Sequence, residues 1–333
     1  MTRFDNLQLF INTHFDAKPH SLVAITGDAS FRRYYRLSCA GKAFIVMDSD
    51  PQKVNNAPYI SLNKVFTDNG FLLPEIIASD EEQGFFVLSD LGNTHLADKL
   101  DESNRDEYYK QLIRLAASWA KTPESAAMQN YNKEFIHLEL NIFSQWLVTD
   151  FIGLKLSTEQ QTLWQQSCEL LTNAMLAQPT VTVHRDYHSR NIMYSNEQWA
   201  IIDYQDAVRG PLCYDLVSLL RDCYFKLPQA QLNQLLEYGY EEFTAQKLIT
   251  DTSFEQFKQW FDLTGIQRHL KAAGIFCRLY LRDGKTGYLD NILSTLDYIV
   301  DVAKTYPELA ALSEWVSSAV IPQVTLKLAK ERT

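Results

Sequence analysis

Long hydrophobic runs are absent. Hydrophobic residues make up 46% of the chain, yet no stretch approaches the ~18 apolar residues needed to span a bilayer. Basic residues are outnumbered, 31 against 41 acidic, for a formal net charge of −10. No basic stripe exists to neutralise a nucleic-acid backbone, although a nucleotide needs only a few local cations and a metal. Cysteine is scarce. Cys39, Cys168, Cys213, Cys223 and Cys277 are odd in number, widely spaced and without a CxxC pair. That argues against a disulfide framework or a zinc site and for buried, reduced thiols. The segment Met1–Asn6 lacks the apolar core of a secretory signal. Internal repeats and low-complexity segments are missing as well. The expectation is a soluble, cytoplasmic protein with no nucleic-acid or membrane partner. No feature of the chain speaks to its oligomeric state.

The pattern that is present changes along the chain. Ser21–Thr26 is apolar-rich, residues 27–30 form a small-residue turn, and Arg32–Ser38 alternates and is rich in aromatics. After a turn at residues 40–42, Ala43–Asp48 is apolar again. Three short strands joined by two turns predict an antiparallel meander. A helix is predicted over Ala57–Asp68, and a strand over Phe85–Leu88 that breaks at Ser89–Gly92. Beyond it, Asp106–Ala120, Glu134–Phe151 and Thr158–Ala177 carry apolar residues at three and four spacing, the helical period. A strand pair, Ile192–Ser195 and Trp199–Tyr204, interrupts these helices, and the chain is helical again after Pro211. The 333 residues exceed one typical domain of ~100–150 residues. The predicted fold is α+β with two lobes: a small antiparallel-sheet lobe over residues 1–91 and a large, mostly helical lobe over 92–333. A ligand cleft is expected at their junction, near Ser89–Gly92.

The chemistry concentrates in VHRDYHSRN, residues 183–191, followed by a strand, a turn and a strand ending at Asp203. Phosphoryl transfer needs a carboxylate beside the acceptor hydroxyl, oxygen ligands that hold Mg²⁺ against the phosphates, and a loop rigid enough to fix both. Asp186 supplies the first. Asn191 supplies an amide oxygen and Asp203 a carboxylate, both hard donors suited to Mg²⁺. HRDxxxxN followed by a hairpin ending in Asp is specific as a whole, where a lone HxD is not. His184 is read as a packing and hydrogen-bonding group that fixes the loop from below. Asp206 is a further metal ligand or a turn carboxylate. Asp215 opens an apolar helical run, which suggests an N-cap that also holds the catalytic loop.

These residues resemble the aminoglycoside phosphotransferase and choline kinase-like branch of the protein-kinase fold. The resemblance implies an enzyme that uses ATP and Mg²⁺, with Asp186 as catalytic base and Asn191 and Asp203 on the metal. It implies that residues 27–36, with Ser30, Arg32 and Arg33, form the phosphate-covering hairpin. It also implies that Ser89, Asp90 and Leu91 form the hinge that meets adenine. A narrower likeness runs through ASFRRYYR, IVMDSDP, HRDYHSRN, DYQDAVRGPLCYDLVSLLRD and QRHLKAAGIFCRLYLRDGKTGYL. This combination is similar to the bacterial anomeric N-acetylmuramate/N-acetylglucosamine kinases of cell-wall recycling, which implies transfer to the C1 hydroxyl of an amino sugar. A kinase for another hydroxylated metabolite (choline, homoserine or an aminoglycoside) and a catalytically dead kinase-fold binding module are the competing readings.

One departure from the kinase pattern stands out. Met47 occupies the third-strand position where kinases carry lysine, and no glutamate lies between Gly41 and Pro74 to partner one. Losing both halves together avoids an unpaired buried charge. The phosphates then need another cation, from Arg32, Arg33 or Arg36. Arg33 is preferred as closest to the turn on one face, with Arg32 facing the other way. On the acceptor side, Glu139, Tyr187, Arg190 and Arg209 are the candidates, and Arg190 or Arg209 would suit a carboxylate. Arg268, His269, Lys271, Arg278 and Arg282 recur at helical spacing and read as a solvated helix face.

Overall fold

The structure, a computed structural model, describes residues 1–15, 20–25 and 31–331. In chain order its elements are α1 (Arg3–His14), β1 (His20–Ile25), β2 (Arg33–Cys39), β3 (Lys42–Asp48), α2 (Ala57–Asp68), β4 (Ile76–Asp80), β5 (Phe85–Ser89), α3 (Leu96–Lys99), α4 (Arg105–Ala120), β6 (Gln129–Asn130) and α5 (Lys133–Ile142). A π-helical segment, Phe143–Phe151, continues α5. Then come α6 (Thr158–Leu176), β7 (Thr180–Val183), β8 (Ile192–Ser195), β9 (Gln198–Ile201), β10 (Val208–Pro211), α7 (Tyr214–Leu220), α8 (Gln229–Ala245), α9 (Phe254–Asp283), α10 (Ile292–Ala303), α11 (Ala310–Trp315) and α12 (Ile321–Glu331). The chain divides into two compact units. One comprises Met1–Lys99, Ser125–Met128 and Arg190–Asp206, and the other Leu100–Glu124, Gln129–Ser189 and Ala207–Thr333.

The first unit is built on an antiparallel sheet of order β1-β2-β3-β5-β4. Both of its faces are covered, which explains why β5 reads as an unbroken apolar run and not as an alternation. On one face, Leu7 and Ile11 of α1 pack against Leu37, Val46, Phe85 and Val87. Thr2 and Asp5 start that helix with a reciprocal capping box. On the other face Tyr59 of α2 meets Phe86 at 5.8 Å, and Met47 is fully buried. The hairpin β8–β9 belongs to this unit, tied to it by Tyr194 N to Thr94 O at 2.8 Å and Ile201 N to Leu72 O at 2.9 Å. The meander, α2, β5 and the hairpin match the sequence reading to within a few residues. β4 is an additional strand.

The second unit is organised around α9, a 30-residue helix buried nearly all round. At Gly274 a Cβ would lie 2.5 Å from Ile142 O. Glycine is what lets α9 approach the backbone at the junction of α5 and the π-helical segment. Three short strands, in the order β6-β10-β7, form a second sheet that the sequence reading did not include. Two of its expectations are corrected here. Asp215 is not an N-cap: α7 starts at Tyr214 with Cys213 at the cap. Arg268, His269 and Lys271 are not a solvated face but are 6%, 1% and 7% exposed. All five cysteines are free, and all but Cys223 are buried. Among the described residues no helix is long and apolar enough to cross a membrane.

Candidate active site

In the second unit β7 runs into the loop that carries Asp186. The loop is fixed at both ends by carboxylates. Asp215 accepts from His184 N at 2.7 Å and from Arg185 N at 3.0 Å. Asp222 accepts from Ser189 N at 2.9 Å. Between them Arg185 has a φ of +77°, a conformation that costs a non-glycine residue on the order of 1–3 kcal/mol and persists only where surroundings enforce it. The His184 ring is fully buried, lies 5.4 Å from Trp119, and accepts from Asp186 N at 3.2 Å through Nδ1. The Arg185 side chain is held by Glu139 at 2.6 Å, and Lys271 reaches the same carboxylate oxygen at 2.8 Å.

This surrounding sets the protonation of the loop. Burial pushes the Asp186 carboxyl up, but Lys271, His188, Arg185 and Arg268 outweigh it and hold the group below the ordinary carboxylate range. Asp186 is therefore ionised at neutral pH. Glu139 behaves likewise: burial raises it, and Lys271 and Arg185 bring it down to about 2. Asp215 moves the other way, pushed up to about 7 by burial against the two amide hydrogen bonds it accepts.

In the first unit Asn191 and Asp203 flank the open end of the β8–β9 hairpin. Ile192 pairs with Ile201, and Ile202 N donates to Asn191 O at 3.0 Å, so the residues just outside the last pair are brought together. Asp203 is exposed, with φ +63°. Gln205 Nε2 donates to it at 2.8 Å and to Asp206 at 3.4 Å. An amide oxygen and a carboxylate are hard donors that fit Mg²⁺, which binds through one or two protein oxygens and takes water and phosphate for the rest.

Of the predicted nucleotide residues, Ser30 lies outside the described residues. Arg33, the preferred cation, is ion-paired to Asp48 at 2.6 Å, a carboxylate that Arg3 also holds. Arg36 is committed to Asp90 at 2.7 Å and to Asn93 and Gly92 O. Arg32 takes a different course. It is 9% exposed, donates to Ser49 Oγ at 3.3 Å, and lies 5.5 Å over the ring of Tyr59. Tyr204, which follows Asp203 in the chain, stacks on Tyr59 at 5.2 Å, so Arg32 and Asp203 lie about the same aromatic cluster, and they act in opposite senses on the phenols of Tyr34 and Tyr59. Of the residues expected to form the hinge, Ser89 Oγ accepts from Glu75 N at 2.9 Å, Asp90 is taken by Arg36, and Leu91 is half-buried.

The acceptor candidates scatter. Glu139 is 2% exposed and fully engaged. Tyr187 is buried in the core, its hydroxyl donating to Leu112 O at 3.0 Å. Arg209 donates to Thr182 Oγ1 and Thr180 O, each at 3.0 Å, and Arg190 is exposed in the first unit. The sequence reading missed Asp222, Arg268 and Lys271. Asp222 was accessible to it: it follows Asp215 by seven residues, about two helical turns, so the same face was in view. The two α9 cations were visible only as charges, with no sign of what they faced.

Comparison with known proteins bears on this arrangement. The sequence profile described as "Phosphotransferase enzyme family" matches residues 21–248. An N-acetylmuramate/N-acetylglucosamine kinase of Neisseria meningitidis serogroup B is 36% identical over 317 residues, 94% of each chain. The crystal structure of choline kinase LicA from Streptococcus pneumoniae superposes with a TM-score of 0.63 at 12% identity, covering 89% of this chain and 99% of that one. LicA in complex with AMP gives 0.59 at 12% identity, covering 88% and 98%. At that identity the likeness speaks for the protein-kinase-like fold alone.

Proposed function

The chain belongs to the phosphotransferase enzyme family, and from that premise we propose that it is an ATP- and Mg²⁺-dependent kinase for the anomeric C1 hydroxyl of N-acetylmuramate and N-acetylglucosamine. The observation that carries the substrate is the 36% identity to a kinase of that name along 94% of both chains. The AMP complex of a structurally similar kinase supports an adenine nucleotide. Arg268, a buried cation with no carboxylate at contact distance among the described residues that acts on Asp186, supports a neutral or anionic acceptor over choline or an aminoglycoside. As a nucleotide-dependent enzyme with free thiols, the protein would work in the cytoplasm.

In this reading Asp186, already ionised, accepts a hydrogen bond from the acceptor hydroxyl and aims its oxygen at the γ-phosphorus. The hydroxyl oxygen bonds to phosphorus as the bond to the departing ADP oxygen breaks, and the proton passes to the Asp186 carboxylate. Bound through Asn191 and Asp203, Mg²⁺ would neutralise charge on the phosphates. Arg32 is the cation that takes over from the missing lysine. The Asp215 and Asp222 carboxylates and the His184 ring act through the loop by positioning Asp186.

Purified protein incubated with ATP, Mg²⁺ and a panel of acceptors tests the reading. Both amino sugars should be converted to acid-labile 1-phosphates and choline, homoserine and aminoglycosides left untouched. Chelating the metal should stop turnover, and Asp186→Asn should lower kcat by about 100-fold or more. Turnover of any other acceptor in preference to both sugars, or none with any acceptor, refutes it.

A further inference from the structure

Unit two carries three buried cations, Arg221, Arg268 and Lys271, beside the part-buried Arg185 of the catalytic loop, and three of these four have carboxylate partners at contact distance. Arg185 and Lys271 share Glu139 at 2.6 and 2.8 Å. Arg221 is paired with Asp262 at 2.5 Å. The fourth, Arg268, is 6% exposed, and among the described residues its polar contact is Nη1 to the Cys223 sulfur at 3.9 Å. Among the described residues no carboxylate approaches it to ion-pair distance. A buried guanidinium without a paired anion is costly, and its charge is met only from further away by Asp186 and Asp222.

Its surroundings locate it. Cys223 follows Asp222, which holds the Ser189 end of the catalytic loop. Lys271, one helical turn along α9, reaches Glu139 and the Tyr214 hydroxyl at 3.1 Å, on the Arg185 end. Arg268 and Lys271, three residues apart on one face of α9, both act on the Asp186 carboxylate. Arg209 can be set aside as the reader of an acid group, since its guanidinium is already taken by Thr182 and Thr180.

We infer that Arg268 is the specificity-determining residue that receives the lactyl carboxylate of N-acetylmuramate when the sugar hydroxyl lies against Asp186. The inference rests on the amino-sugar reading given above and goes beyond it by assigning the group that distinguishes the two sugars. N-acetylglucosamine has no carboxylate, so it forms no ion pair with Arg268. N-acetylmuramate forms a charge-assisted pair and relieves the unpaired cation. Arginine is required more than lysine for a planar, two-pronged contact.

The test compares kcat/KM for the two sugars in wild type, Arg268→Met and Arg268→Lys, with thermal melts to check folding. Arg268→Met should lower kcat/KM for both sugars, because Arg268 also acts on Asp186, but for N-acetylmuramate by about 10–30-fold more than for N-acetylglucosamine. Arg268→Lys should recover part of the difference. A second measurement needs no variant: wild type should use N-acetylmuramate at least about 10-fold better than its lactyl amide. Equal losses on both sugars would mark Arg268 as structural or as a partner of the transferred phosphate and overturn the inference, as would equal use of the acid and the amide. If wild type converts neither sugar, the amino-sugar reading falls and takes the inference with it. If it converts both and the ratio is unmoved, the inference alone falls.

Discussion

Arg32 and Arg33 adjoin in the chain and part company in the fold. Arg33 is 58% exposed at its side chain and spends its charge on Asp48, so an ATP phosphate would have to compete with that pair. Arg32 is buried over Tyr59, on which Tyr204, the neighbour of Asp203, stacks. Alternation along a strand predicts that neighbours diverge, but which of the two reaches the functional face depends on what covers each face, and α1 and α2 are assigned only by packing. Arg32→Ala should therefore lower kcat/KM for ATP by about 10–100-fold, with Arg32→Lys in between, while Arg33→Ala stays within about 3-fold. Steady-state ATP titrations at saturating acceptor measure this. The reverse order of the two alanine variants would restore Arg33 as the phosphate ligand. Met47, fully buried and paired across the strands with Tyr34, completes the account: the position that kinases give to lysine has become core.

At the scale of elements, Glu139 joins three of them. It stands on α5, holds Arg185 of the catalytic loop, and receives Lys271 from α9; Tyr131 and Gln267 also donate to it. Its carboxyl falls from 4.5 to about 2 on folding, burial being outweighed by the two cations. At ~1.4 kcal/mol per unit this amounts to stabilisation on the order of 3 kcal/mol. A depressed acid contributes above its unfolded pKa and loses that contribution as pH falls through the folded value. Denaturant unfolding at pH 7 should thus find Glu139→Gln less stable by roughly 3 kcal/mol, with two buried cations left short of charge. The gap should narrow as pH drops from about 4.5 towards 2. A gap that holds constant over that range would mean the side chain matters for packing only. What the sequence disclosed about these elements follows from range. The hairpin of β8 and β9, the helix α2 and the loop carrying Asp186 are local patterns, readable from alternation, period and spacing. Strands β7 and β10 are four residues each, with Pro211 and Gly210 in the second, and exist because they pair with each other across the chain. The role of α9 was hidden for a related reason: period places Arg268 and Lys271 on a face but does not say that the face is buried, with Lys271 paired to Glu139 of α5.

For the whole molecule, the proposed assignments divide with the units. Arg32, the hinge residues Ser89, Asp90 and Leu91, and the ligands Asn191 and Asp203 belong to the first unit; Asp186, Glu139, Lys271 and Arg268 belong to the second. Only four residues of chain separate Asp186 from Asn191, so the loop passes from one unit to the other between the proposed base and the first proposed metal ligand. A nucleotide and an acceptor should then order different backbone segments, because a ligand that binds only the folded state raises the local opening free energy where it makes contact. Amide hydrogen exchange should report this. A non-hydrolysable ATP analogue with Mg²⁺ should slow exchange over residues 32–48, 85–92 and 191–206. Withdrawing the metal should release 191–206 first, since Asn191 and Asp203 would lose their ligand while Arg32 keeps the phosphates. N-acetylmuramate should slow exchange over 184–189 and 221–223, where the amides of Arg185 and Ser189 are already held by Asp215 and Asp222 and a bound sugar would suppress their remaining opening. Protection of the first set of segments by the sugar alone, or of the second by the nucleotide alone, would show that the two ligands are not divided in this way, and the residue roles proposed for each unit would have to be exchanged.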